Sequence, residues 1–134
     1  MAARHRLLPA LAVTGFHPLD GARWLRDTCE ASELLCRLVA NHSCSLTEAT
    51  ARGLAADLAA EFPLPATDVL DALTWCDMTT CPDGQPVTVD QRLAEILHRY
   101  GQGHVVARAI SQSAPMLAAA VEHVGSRLAG PASQ

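Results

Sequence analysis

The sequence predicts an all-α fold, a bundle of short helices packed on one another. Three observations point there. Of the 134 residues, 49% are apolar but only five are aromatic; a composition led by Ala and Leu suits helices better than a β-sandwich built from Val, Tyr and Phe. Apolar residues recur at spacings of three and four along most of the chain. Helix-start and helix-stop residues punctuate those stretches at intervals of one short helix. The length is that of one domain with a real core. We divide it into an irregular N-terminal remnant over residues 1–13, a helical domain over 14–129 and a disordered tail over 130–134.

The first helix follows "TGFHPLDGARW". Pro18 suits a first helical turn, and Asp20 lies where the positive end of the helix dipole favours an acid. A break near Cys29 to Ser32 starts a second helix, whose stripe of Leu35, Leu38, Val39 and His42 carries a histidine inward or into a cleft. "SLTEATARGLAADLAAEF" opens on a capping box, Ser45 with Glu48, and runs to the stop at Pro63 and Pro65. Thr67 or Asp68 caps the next helix, where Val69, Leu73 and Asp77 share one face. An acid thus ends an apolar stripe.

"CPDGQP" is a turn, with Pro82 presetting one dihedral and Gly84 accepting positive φ. Thr88 and Gln91 form a second capping box, opening a helix with Leu93, Ile96 and Leu97 on its buried stripe and Gly101 as its C-terminal glycine. "HVVARAI" reads as a short helix. A last one, capped near Ser113 with Pro115 in its first turn, buries Leu117, Val121, Val124 and Leu128. There are no internal repeats.

Charge and cysteine usage exclude several functions. The formal net charge is −4 and all ten basic residues are arginine; they are scattered, so no basic face offers counterion-releasing contact to nucleic acid. Five cysteines with no C-x-x-C pair argue against a zinc knuckle and a complete disulfide framework. The basic opening "MAARHR" precedes an apolar patch, yet Pro9 interrupts it and the run is short for a leader. No stretch approaches the roughly 18 apolar residues of a membrane span. The expected compartment is the cytoplasm.

Among candidate chemical residues, Asp77 carries the sharpest signal. A carboxylate on an apolar stripe must be paired, hydrogen-bonded or metal-bound, and a helix C-terminus is the wrong end of the dipole for an anion, so a nearby cation or donor is required. An arginine would fill that role structurally and a metal functionally. His17 reads as a capping ring or a ligand, and His42 as a donor to a backbone carbonyl or a ligand. His5, His98, His104 and His123 sit in polar or mixed contexts as surface or structural residues.

Three phrases together, "TGFHPLDGARWL", "RLVANHS" and "DALTWCDMTTCPDGQPVTVDQRLAEILHRYG", resemble the HD-domain superfamily of metal-dependent phosphohydrolases in its compact stand-alone form. The match covers about residues 14–110. The resemblance implies an HD-like helical bundle and a divalent metal (Mn, Fe, Ni, Zn or Mg) as cofactor. It also implies phosphate-ester hydrolysis, with a small phosphorylated metabolite or nucleotide as substrate. His17 and His42 match the two histidines that serve a second metal in the family, and Asp77 matches its late aspartate.

One part of the pattern is missing. The family's His-Asp doublet should fall shortly before "TGFHP", where Ala3 and Arg4 stand; His5 is followed by Arg6. The expectation is an HD-type chain incomplete at its N-terminus, with His17, His42 and Asp77 as a remnant ligand set, weak or absent metal binding and little activity. The missing helices should leave an apolar groove inviting self-association. The alternative is a non-catalytic helical domain that keeps the fold for binding or assembly.

Overall fold

The computed structural model describes residues 12–130, so His5, the doublet positions and most of the remnant and tail lie outside the described residues. The fold is all-α: α1 (His17–Asp27), α2 (Glu33–Asn41), a 3-10 turn (His42–Cys44), α3 (Ser45–Ala51), α4 (Ala55–Glu61), α5 (Thr67–Met78), α6 (Val89–Tyr100) and α7 (Val105–Leu128). Extended pairing among the described residues is a single bridge between Thr80 and Pro86, which closes the "CPDGQP" turn. Gly84 there takes φ +79 and its amide donates to the Cys81 carbonyl at 2.9 Å.

Two clusters of buried side chains organise the helices. The first joins α1 to α4 through Phe16, Leu19, Ala22, Cys36, Ala40, Ala49, Leu58 and Phe62. The second is smaller, with Met78 of α5, Ile96 of α6 and Leu117 of α7 at its centre. Helix α7 packs across α3, α5 and α6 and so ties the two together. One bond marks the joint, from the Ser113 hydroxyl to Thr47 Oγ1 at 3.0 Å.

Several boundaries follow the local signals. Pro18 sits in the first turn of α1, Ser32 caps α2 by accepting from the Leu35 amide, and Thr88 and Gln91 complete their capping box reciprocally. Gly101 ends α6 at φ +80.

Other boundaries need correction. The stretch expected as one helix from Ser45 to Pro63 is two, because Gly53 adopts φ +73 and the Leu54 amide turns back onto the Ala49 carbonyl at 2.8 Å, a C-terminal glycine closure. The Ser45–Glu48 capping box does not form. Cys44 precedes α3 in the left-handed region, the Ser45 hydroxyl donates to the Ala40 carbonyl, and Glu48 pairs with Arg52 at 2.8 Å. Neither Thr67 nor Asp68 caps α5, whose N-cap position is Ala66 with no side-chain bond.

The two helices expected after Gly103 are one continuous α7 with Pro115 inside it. Ser113 is buried and spends its hydroxyl on Thr47 rather than on a cap. Ser111, whose carbonyl loses its amide donor to Pro115, is exposed, so water can satisfy it and the helix continues. No helix among the described residues is long and apolar enough to cross a membrane.

Candidate functional site

The chain from α2 into α3 turns through two successive non-glycine residues in the left-handed region, Ser43 at φ 48 and Cys44 at φ 58. Such residues cost on the order of 1–2 kcal/mol each and persist only where the surroundings over-determine them. Here the surroundings do. The Ser43 hydroxyl donates to Asp77 Oδ2 and Ser45 is held by Ala40, so the turn is clamped on both sides.

This turn, not the helical stripe expected for it, places His42. Helix α2 ends at Asn41, and His42 follows it in extended conformation, φ −66 and ψ 149. Its Nδ1 lies 2.6 Å from the Val39 carbonyl oxygen. A carbonyl only accepts, so Nδ1 carries the proton and Nε2 presents a lone pair. That lone pair faces Nε2 of His17 at 3.4 Å, the ring centroids being 5.3 Å apart and tilted by 55°. A hydrogen bond between them then requires the proton on His17 Nε2.

His17 owes its place to α1's N-terminus. Asp20 is buried, and its carboxylate reaches back to accept from the Thr14 amide at 3.0 Å, the Thr14 hydroxyl at 2.7 Å and the Gly15 amide at 3.1 Å. These bonds fold "TGF" over the helix start, and the buried Phe16 anchors it. His17 is left at the rim of a cleft of about 220 Å³ that it shares with His42, Ser43, Glu48, Asp77 and Arg92. Asp20 is therefore the positioning residue that sequence reasoning assigned only a dipole role. Its signal was the polar "TG" turn five to six residues upstream, within reach of a carboxylate.

Asp77 enters the same cleft, but not as a buried carboxylate. Its side chain is 35% exposed. The buried residues of α5 are Thr74 and Met78, and Val69, at the head of the expected stripe, is exposed. The expected cation or donor at this helix end is there, in both forms: Arg92 Nη2 lies 3.5 Å from Asp77 Oδ1, Arg92 Nε donates to the Asp77 carbonyl at 3.1 Å, and Ser43 supplies the hydroxyl.

Two of the three candidate ligands are thus brought into contact, and the third shares their cleft with both carboxylate oxygens engaged. Two imidazole nitrogens on one tetrahedral ion, each about 2.0–2.1 Å from it, stand roughly 3.3–3.4 Å apart, so the histidine pair has a suitable separation. The His42 Nδ1–H bond to a carbonyl is also the arrangement that orients metal-binding imidazoles. A site needs three or four protein ligands, however. Among the described residues no group of three His, Cys, Asp or Glu side chains is arranged to hold a metal ion. The residues described do not by themselves fit a metal centre.

The remaining histidines take structural places. His104 caps α7 by accepting from the Val106 amide at 3.1 Å, His123 pairs with Asp71 at 3.0 Å, and His98 is exposed on α6. Cys44 does not line the histidine cleft and lines a larger cavity instead.

His17 titrates below the ordinary histidine value, through crowding by surrounding protein first and the neighbouring His42 second, against opposing pulls from Glu48 and Asp77. A folded-state pKa below the unfolded one means that the unfolded chain binds the proton more readily. The stability this group contributes is present above about pH 6.5, the unperturbed histidine value, and is lost as pH falls toward the lowered folded pKa. In an NMR titration the His17 ring should show a midpoint below that of a free histidine. His42→Ala should raise it, and an unmoved midpoint would remove His42 as a cause.

No protein-family model, no curated protein and no solved structure matches this chain.

Proposed function

We propose that the cleft is the phosphate-ester site of an HD-type phosphohydrolase whose metal-binding set is only partly supplied by this sequence. The chain would then bind small phosphorylated molecules, nucleotides among them, and hydrolyse them weakly or not at all. The observation that supports this reading is the meeting of His17 and His42 at their Nε2 atoms with Asp77 in the same cleft. These are the residues that the family resemblance joins, drawn from three separate elements. Arg92 and Arg99 also line the cleft, and guanidinium groups suit phosphoryl oxygens.

The residues present have definable roles. Arg99, half exposed on α6, contacts a phosphoryl group entering from solvent, and His17 Nε2–H turns to it from the long contact with His42. Arg92 holds Asp77 and hence the turn that carries His42. The divalent metal of the family would supply an activated water, and the described residues do not complete its ligand set.

The test is metal retention and turnover of the purified 134-residue chain. After loading with Mn²⁺, Ni²⁺ or Zn²⁺ and desalting, retained metal should fall below one equivalent. Hydrolysis of p-nitrophenyl phosphate or of a nucleoside monophosphate should stay near the buffer blank. Nucleoside monophosphate should still bind, more weakly after Arg99→Ala. A full equivalent of tightly held metal, lost on His17→Ala or Asp77→Ala, would overturn the incomplete-site reading.

A second reading, a non-catalytic domain kept for binding or assembly, is favoured by one observation. Both Asp77 carboxylate oxygens are engaged, one by Ser43 and one by Arg92, as in a structural network. Absence of phosphate-ester binding with and without metal would decide for it.

A further inference from the structure

We propose that the half-open cavity between α3, α5 and α7 is a binding site for a small amphiphilic cation, an apolar body carrying one ammonium group that pairs with Asp71. The cavity is separate from the histidine cleft, and its argument does not depend on the function proposed above.

Its volume is about 690 Å³, inside the range of roughly 300–1,000 Å³ typical of small-molecule sites. The wall is mainly apolar, with Leu46, Leu70 and Met116 set around a few hydroxyl and amide groups. Such a surface removes hydrocarbon from water while a small number of polar groups fix its orientation. At the mouth, Leu64 is 61% and Met116 62% exposed. Leu64 is fixed there because Arg37 Nε donates to the neighbouring Pro63 carbonyl at 2.7 Å. Met116, unbranched and flexible, can close over a bound chain.

The charge of the wall selects the head group. Among the described residues, Asp71 is the only charged side chain lining the cavity, and no arginine or histidine of that set lines it. The Asp71 side chain is 20% exposed; its partner among the described residues is the imidazole of His123, which is 47% exposed and reaches Oδ2 at 3.0 Å. A carboxylate partly withdrawn from water with one exposed imidazole for company gains from a cation, and repels an anion. Cys44 lies on the same wall. Its thiol is held above the usual value first by burial and further by the Asp71 charge, against a lowering bond from Ser113.

The experiment measures binding of n-octylamine, octan-1-ol and octanoate to the full chain by calorimetry, with helicity of each variant checked by circular dichroism. Octylamine should bind saturably and about tenfold or more tighter than octanol, the factor corresponding to about 1.4 kcal/mol. Octanoate should bind least. Asp71→Asn should bring octylamine to the level of octanol, and His123→Ala, which frees Oδ2, should tighten octylamine alone. Met116→Trp, which fills the mouth, should weaken amine and alcohol together.

The proposal is overturned if octanoate binds as tightly as octylamine, or if the amine's advantage survives Asp71→Asn. It is also overturned if octylamine shows no saturable binding, or if sedimentation shows the cavity covered by a second copy of the chain in a dimer that Met116→Trp dissociates.

Discussion

Asp20→Ala should destabilise the protein by about 3 kcal/mol and release His17 from the cleft, although no atom of Asp20 touches the site. The carboxylate accepts two amide donors and one hydroxyl from Thr14 and Gly15 while itself buried. Hydrogen bonds to a charged group contribute about 1.5–3 kcal/mol each. Thr14 is only half-buried and Gly15 is exposed, so their freed amides regain some hydration and the sum is reduced. Asp20→Asn should cost nearly as much, because the new amide nitrogen turns a donor toward donors.

The measurement is urea unfolding at pH 7, paired with the His17 NMR midpoint. In the folded Asp20 variants that midpoint should move back toward the free-histidine value as the ring leaves His42. A destabilised variant whose His17 midpoint is unchanged would show that Asp20 supports the fold without positioning the ring.

Asp20 and Asp77, compared, also show what the sequence can and cannot say. Helical spacing reports which residues share a face, and the helix dipole correctly gave Asp77 a need for a nearby cation or donor. Spacing does not report depth. Val69 and Asp77 lie on a partly exposed face of α5, while Asp20, in a polar-looking stretch, is the buried acid. The depth of a helical face depends on which neighbours cover it, and those neighbours come from elsewhere in the chain.

The two capping boxes make the same point locally. Thr88 and Gln91 form theirs, the Thr88 hydroxyl accepting from the Gln91 amide and the Gln91 side chain from the Thr88 amide. Ser45 and Glu48 have the same spacing, but the left-handed Ser43–Cys44 turn aims Ser45 at Ala40, and Arg52 takes Glu48. The all-α class and most helix starts were legible, being local. The splitting of α3 from α4 was legible in principle, since Gly53 was available as a C-terminal glycine. The continuity of α7 through Pro115 was not, because it depends on Ser111 facing solvent and Ser113 facing Thr47.

The candidate site inherits this mixture. His17 was legible as a ring at a helix start and His42 only as the end of an apolar stripe, and their contact depends on a turn through two left-handed residues that no periodicity signals. The cavity at Asp71 left no mark on the sequence, because its lining is spread over residues from Asn41 to Ala120.

Leu117→Ala should cost about 3–4 kcal/mol, and its effect should be concentrated in α5, α6 and α7. Leu117 is fully buried and meets Met78 and Ile96 at the centre of the smaller cluster. With three buried side chains of the described residues at that centre, truncating one leaves a cavity that Met78 and Ile96 can only partly fill. The larger cluster between α1 and α4 contains none of these residues. Against a typical total of about 5–15 kcal/mol, the loss is a large fraction of the whole. Amide hydrogen exchange should therefore quicken in α5 to α7 before it does in α1 to α4, and the denaturant transition should broaden as two-state behaviour fails. Leu128→Ala, at a position 67% exposed on the same helix, is the control and should change stability by no more than about 0.5 kcal/mol. Uniform acceleration of exchange across both clusters would show instead that the Ser113–Thr47 joint and the packing of α7 on α3 couple them into one cooperative unit.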